Sequence, residues 1–446
     1  MSSNCPLLEK LPFELREKIY QYAYEDWEGA SCLPHKISHD PVEGESALRL
    51  TCHQIRKEAD DVFMKTAYFA FNTPSQALEW ISANEDLSCK MRHLELRSPQ
   101  LPLTVSPQMK TEMKEAWSTV LARLPHLWSL KLVHDPHSWM WSDILCYEDG
   151  SCKTAVSRMK HLRTFRYEEL GASMAEPHKF GQRDLDLDIL THFPKLETLV
   201  VREYIHLDPV QIASGNHPFT TLTKLKTVEI LSPTQFEDDS ISILDQFRPL
   251  EQIKLLSRSI DTDLKALHRH APTLKRLVLG DYEHGERGFW KKLEHDDTDG
   301  VNYGQLPRLL LQEFSCLEEL KLVAIPHMDL SVFKYLPYTL KSVDIELTNN
   351  LRFEVACEEM DDSMHFLTNN CYTLDKLHLK IHYQNLAYRD LSIDRVLDQM
   401  RKLSWWVPDI VFVGKGALDN GEYIYEGRGM VVRKDKFPSP SAFRDF

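Results

Sequence analysis

From residue 91 onward the chain repeats one spacing of apolar positions, apolar-x-x-apolar-x-apolar. It occurs as Met91-Leu94-Leu96, Leu127-Leu130-Leu132, Leu162-Phe165-Tyr167, Leu196-Leu199-Val201 and Leu225-Val228-Ile230. It continues as Leu250-Ile253-Leu255, Leu274-Leu277-Leu279, Leu317-Leu320-Leu322, Leu340-Val343-Ile345 and Leu374-Leu377-Leu379, with successive copies starting 23 to 43 residues apart. The last two positions of each triplet are two residues apart and share one face of a strand; the first enters from the preceding turn. Ahead of several copies the apolar spacing lengthens to three or four. Met113, Trp117, Val120 and Leu124 precede Leu127, Ile241, Leu244 and Phe247 precede Leu250, and Leu264 and Leu267 precede Leu274. Helical spacing, a breaker and a short strand predict a repeating helix–strand layer. Neither element can bury its apolar side alone, so stacking of layers supplies the core.

This is the pattern of leucine-rich repeats. The predicted fold class is α/β, an irregular leucine-rich-repeat solenoid (horseshoe) over residues 71–389. A different pattern precedes it. Leu11, Leu15 and Ile19 recur every four residues, with Tyr22 and Ala23 continuing the stripe, and Pro12 suits a first helical turn. Leu48, Cys52, Ile55, Ala59, Val62 or Phe63, and Thr66 form a second amphipathic stripe, which places Arg56, Lys57 and Glu58 mostly outward. A small helical module over residues 1–70 is expected. At the other end, Leu391, Val396, Leu397 and Leu403 predict a helix, Ile410-Val411-Phe412-Val413 a strand, and Asp419-Asn420-Gly421 before Tyr423 a hairpin. Residues 390–436 then cap the solenoid, and 437–446 form a disordered tail.

The two N-terminal stripes read LEKLPFELREKIYQYA and LRLTCHQIRKEADDVFMKTAYFAF. They resemble the degenerate F-box of filamentous fungi, in which LPxELRxxIY and TCxQIRxEA recur as a pair. The resemblance covers about the first 70 residues and departs from the standard box at Thr51-Cys52-His53-Gln54-Ile55, where Val-Cys-(Arg/Lys)-x-Trp is usual. It implies docking onto a Skp-type adaptor and hence a cullin RING ligase. Leu11, Pro12, Leu15 and Ile19 would form the docking face, with Leu50, Cys52 and Ile55 supporting it. A box followed by repeats is the order of F-box leucine-rich-repeat substrate receptors. The expected function is therefore the substrate-recognition subunit of a Skp–cullin–F-box ubiquitin ligase. Two alternatives stay open: the helices only cap the solenoid, or the chain is a ligase-independent protein-binding scaffold.

A protein client would meet the strand residues that alternate with the buried ones. At these positions nine basic residues, Arg166, Arg202, Lys254 and Arg276 among them, face six acidic ones, a basic balance that suits an acidic or phosphorylated peptide. A solvated face with no preference is the plainer reading. Long connections add aromatic candidates, Trp139 and Trp141 in 133–153 and Phe289 and Trp290 in 280–305, which either anchor a ligand or, as Trp139 and Phe289 could, tuck back onto the solenoid.

Composition narrows the classes. A net charge of −14 and a pI near 5.8 disfavour general nucleic-acid binding. Nine scattered cysteines show no disulfide framework, and neither a secretory signal nor a membrane-spanning run is apparent, so an intracellular location, cytoplasmic or nuclear, is expected. His134-x-x-His137 with Cys146 and Cys152 lacks the tight pairs of a zinc site, and no metal or cofactor is expected. Gly171-Ala172-Ser173-Met174-Ala175 lacks the final glycine of a nucleophile elbow, so no enzyme class is supported. His268-x-His270 reads as cations at a helix C-terminus.

Overall fold

The computed structural model describes residues 11–25, 53–97, 106–134, 151–169, 187–202, 218–232, 244, 247–257, 264–280, 311, 313–323, 336–347, 373–383, 409–416 and 422–426. The chain divides into two units, residues 1–225 and 226–446. All ten apolar triplets are buried.

The first unit opens with α1 (Phe13–Glu25) and α2 (His53–Thr66), packed on each other. Pro12 lies one residue ahead of α1 and not inside its first turn; its carbonyl accepts the Arg16 N–H at 3.2 Å. Only Ala67 separates α2 from β1 (Tyr68–Phe71), so the sheet begins ahead of the expected start at residue 71. The helix α3 (Pro74–Ala83) starts where Thr73 accepts the Gln76 N–H and Pro74 occupies the first turn. A short α4 (Glu85–Ser88) leads to β2 (His93–Arg97). Then come α5 (Pro107–Ala122), capped by Ser106, β3 (Ser129–His134), α6 (Ser151–Ser157), β4 (Thr164–Glu169) and β5 (Thr198–Arg202).

The strands β1 to β5 pair in parallel and in chain order, without a slip in register. Phe69 lies beside Leu94, Leu94 beside Leu130, Leu130 beside Phe165 and Phe165 beside Leu199. Every layer therefore adds its second apolar residue to one continuous row. Trp117, Val120 and Leu124 of the α5 segment are buried, as their spacing predicts. Aromatic contacts tie α2 to the sheet: Phe63 meets Phe69 edge-on at 5.7 Å, and Phe69 meets Trp80 of α3 at 5.1 Å. Asp61 of α2 also pairs with Lys90 in the turn before β2.

The second unit carries β6 (Thr227–Ser232), β7 (Gln252–Ser257), β8 (Arg276–Gly280), β9 (Glu319–Val323), β10 (Ser342–Leu347), β11 (Lys376–Tyr383), β12 (Asp409–Gly416) and β13 (Glu422–Glu426). Pairing is parallel from β6 to β12 and again in register, Val228 beside Ile253, Ile253 beside Leu277 and Leu277 beside Leu320. The predicted hairpin is present: β13 returns antiparallel on β12, with Phe412 beside Tyr425. The predicted helix over 391–403 lies outside the described residues.

Two expectations change. The helix expected at Leu264 and Leu267 is a 3-10 helix, Leu264–His270, and 3-10 helices also stand at Leu187–His192 and Pro218–Thr221. A spacing of three matches the three-residue turn of a 3-10 helix. His270 is not a surface cation but fully buried. Its Nδ1 accepts the Leu250 N–H at 3.0 Å, and its Nε2 donates to the Leu244 carbonyl at 3.1 Å. One ring nitrogen accepts and the other donates, which makes the imidazole neutral. Threonines stitch layers as well: Thr273, Thr339 and Thr373 donate to the carbonyls of Leu250, Leu317 and Leu340 at 2.8, 2.7 and 2.9 Å. No helix among the described residues is long and apolar enough to cross a membrane.

Candidate functional site

α1 turns a polar lock inward and an apolar face outward. Arg16 and Tyr20, one helical turn apart, both point at Glu58 of α2. Arg16 donates from Nε to Glu58 Oε2 and from Nη2 to Oε1, each at 2.9 Å, and from Nη1 to the Leu11 carbonyl at 2.6 Å. Tyr20 donates to Glu58 Oε2 at 3.1 Å, and Gln54 donates to Oε1 at 3.0 Å. Both carboxylate oxygens are thereby satisfied, which a partly buried charge requires.

The proton distribution follows from those contacts. The Arg16 hydrogen bond holds the Glu58 carboxyl below its usual range against the opposing effect of burial. The same bond raises Arg16. Burial first, and the Glu58 charge second, push the Tyr20 phenol up to about 12. At neutral pH the lock is thus guanidinium, carboxylate and neutral phenol.

Helical spacing sets Glu58 outward with Arg56 and Lys57. Arg56 and Lys57 are exposed, but Glu58 turns inward, because its partner lies on another helix and apolar periodicity does not register it. The signal lay in the paired motifs: Arg16 belongs to the first and Glu58 to the second.

With that side engaged, α1 leaves Phe13, Leu15 and Ile19 exposed at 45%, 47% and 40%. Leu15 and Ile19 share the predicted stripe; Phe13, at the start of the helix, stands on the side of Arg16 and Tyr20, three and seven residues on. Arg16 braces it, with Cζ 5.7 Å from the ring centroid. Pro12 is exposed and Leu11 half-buried beside them. Ile55 is buried beneath, within the α1–α2 layer. Leu50 and Cys52 lie outside the described residues.

The residues expected to meet a client are divided. In the first unit the alternating sheet positions form a chain of ion pairs, Arg97–Glu95 at 2.6 Å, Lys131–Glu95 at 3.4 Å and Lys131–Glu168 at 3.0 Å, with both carboxylates buried. Arg166 lies beside Lys131 in register and is half-buried, its Nε without a hydrogen-bond partner. Arg202 ends β5 beside Glu168, and its side chain lies outside the description. In the second unit Lys254 pairs with Glu229 at 3.6 Å, Arg276 with Glu319 at 3.2 Å and Lys321 with Asp344 at 2.6 Å. Each is a pair across neighbouring strands, so these three cations are locally compensated. Trp139 and Trp141 lie outside the described residues, as does the His134–Cys152 connection. Among the described residues no His, Cys, Asp or Glu cluster is arranged to hold a metal ion.

No family model matches this chain, and no curated protein matches it.

Proposed function

We propose that the chain is the substrate-recognition subunit of a Skp–cullin–F-box ubiquitin ligase. In this reading α1 and α2 are an F-box-like module, Leu15 and Ile19 meet the Skp-type adaptor, and the repeats form a leucine-rich-repeat horseshoe that holds a protein client. The observation that carries it is the exposed pair Leu15 and Ile19 on a helix whose other side is locked by Arg16, Tyr20 and Glu58. Such a face is preorganised: the helix does not have to be ordered when a partner arrives. The one-residue join at Ala67 and the Phe63–Phe69–Trp80 contacts bind the module to the first strand, so a docked adaptor and a held client would keep a defined separation. The chain would do no chemistry of its own. It would raise the effective concentration of client at the ubiquitin-charged enzyme.

Fully burying a leucine or isoleucine is worth about 1.5–3 kcal/mol, so completing the burial of half-exposed Leu15 or Ile19 contributes about 1 kcal/mol each. Truncating either to Ala weakens the adaptor complex about fivefold. Leu15→Asp with Ile19→Asp abolishes it, while the melting temperature stays within a degree or two because both side chains are exposed. The measurement is co-elution and calorimetry of the purified full chain with the Skp-type adaptor. A well-folded chain that forms no complex refutes the reading and leaves the ligase-independent scaffold.

A further inference from the structure

The edge where the strands begin differs in charge logic between the two units. One position after the first apolar residue of each repeat, the second unit presents Lys226, Glu251, Lys275, Glu318, Lys341 and Asp375, alternating in sign. Neighbours are joined through the backbone, the Lys275 N–H donating to the Glu251 carbonyl at 2.8 Å and the Lys341 N–H to that of Glu318 at 2.8 Å. Their side chains pair as well: Lys226–Glu251 at 3.4 Å, Lys275–Glu251 at 3.1 Å and Lys341–Glu318 at 2.9 Å. That row is self-neutralised.

In the first unit the same row reads Arg92, Trp128, Arg163 and Glu197, linked by the same backbone bonds. Trp128 is 39% exposed, with Arg92 Cζ 5.5 Å and Arg163 Cζ 5.2 Å from its ring centroid. Arg92 comes from the preceding layer and Arg163 from the following one, so the indole stands between two guanidiniums and fixes both. The turns beside them add Arg158, Lys160 and Lys195, all exposed. Among the described residues of this row and these turns, the one carboxylate is Glu197, and it reaches Arg163 only at 4.0 Å.

We infer that this edge binds an extended acidic protein segment. Strands stand about 4.8 Å apart, so Arg92 and Arg163, two layers apart, are separated by roughly 10 Å, the length of three residues of extended chain. In a polyproline-II-like extended segment, which turns once every three residues and rises about 3.1 Å per residue, carboxylates at positions i and i+3 lie on one side. They meet the two guanidiniums: Arg163 can form paired N–H···O bonds, and Arg92 offers Nε and Nη2. The Arg92 Nη1 donates to the Cys89 and Met91 carbonyls at 3.1 Å each. Stacking on Trp128 holds the guanidiniums in place beforehand, which lowers the ordering cost. A nucleic acid fits less well: the indole faces are occupied by arginine and not free for a base, and a chain of charge −14 repels a long polyanion. The site does not depend on α1 meeting an adaptor.

The test is fluorescence anisotropy of a labelled oligoglutamate of about ten residues against the purified full chain in low salt. The wild-type chain binds it in a salt-sensitive manner, and Arg158→Glu, Lys160→Glu and Arg163→Glu together weaken binding about tenfold or more. Arg248→Glu, an exposed cation in the second unit, leaves binding within about twofold. Arg163→Gln is the milder variant if the triple reversal disturbs folding, and it weakens binding as well. Leu15→Asp with Ile19→Asp leaves oligoglutamate binding unchanged, which separates this site from the adaptor face. Absence of wild-type binding, equal loss with Arg248→Glu, or tighter binding of an oligothymidylate of matched charge overturns the inference.

Discussion

Replacing His270 by leucine tests how the repeats are held to one another. The two side chains are similar in volume, so packing is largely kept while both ring contacts are removed. The Leu250 N–H and the Leu244 carbonyl then lose their partners inside a core where both residues and His270 itself are fully buried. An unsatisfied buried backbone group costs about 1–3 kcal/mol, so two cost about 2–6 kcal/mol, partly offset by exchanging an imidazole for an apolar side chain. A net loss of about 2–4 kcal/mol is expected, equivalent to a fall of about 6–12 °C in the melting temperature of a unit this size. His270→Asn and His270→Gln, each able to restore one of the two bonds, fall between leucine and wild type. His268→Leu, on the same turn but exposed and paired with Glu313, costs about 1 kcal/mol at most. Urea unfolding followed by circular dichroism gives the stability, and hydrogen exchange of the Leu250 amide gives the local reading. A leucine variant within about 0.5 kcal/mol of wild type, or a Leu250 amide that exchanges no faster, refutes the reasoning.

Gly280 closes β8 beside Val323, and a methyl group built there lies 2.5 Å from Val323 Cβ and closer still to its carbonyl oxygen. Gly280→Ala should cost about 1–3 kcal/mol in the second unit, seen as a lower urea midpoint; an unchanged midpoint contradicts the close approach. Burial pushes His93 down to about 4, against a hydrogen bond to the Lys65 backbone, so the folded chain refuses a proton that the unfolded chain accepts below about 6.5. Stability therefore falls as pH drops from about 6.5 to about 4, by about 3 kcal/mol at most. Urea midpoints of the wild type and His93→Gln should converge on acidification, and parallel curves would exclude His93 as the source.

The layered core was legible because its signal is local: one triplet per strand, with the same spacing in each, and all ten triplets are buried. The closing hairpin was legible from Asn420-Gly421 and its flanking apolar residues. What escaped were partnerships between layers. Glu58 reads as a surface carboxylate until Arg16 and Tyr20 are placed against it, and His270 reads as a cation until the Leu250 N–H occupies its ring. Ion pairing on the sheet was hidden for the same reason, since Lys254 and Glu229 lie 25 residues apart in the chain but side by side in register. Trp128 was passed over because its significance comes from Arg92 and Arg163, one repeat away on either side.

The repeats vary in length from 23 to 43 residues, yet within each unit the described strands stay in step. The widest interval, between Leu274 and Leu317, still sets Leu277 beside Leu320. All the variation is shed into the connections, where doubling a flexible segment costs only about 0.6 kcal/mol in closure entropy. A residue inserted within a strand would instead exchange the inward and outward sides of everything after it. Such a scaffold can acquire new recognition segments by lengthening between layers while the packed interior goes unaltered, and grafted sequences should be accepted at those positions and rejected elsewhere.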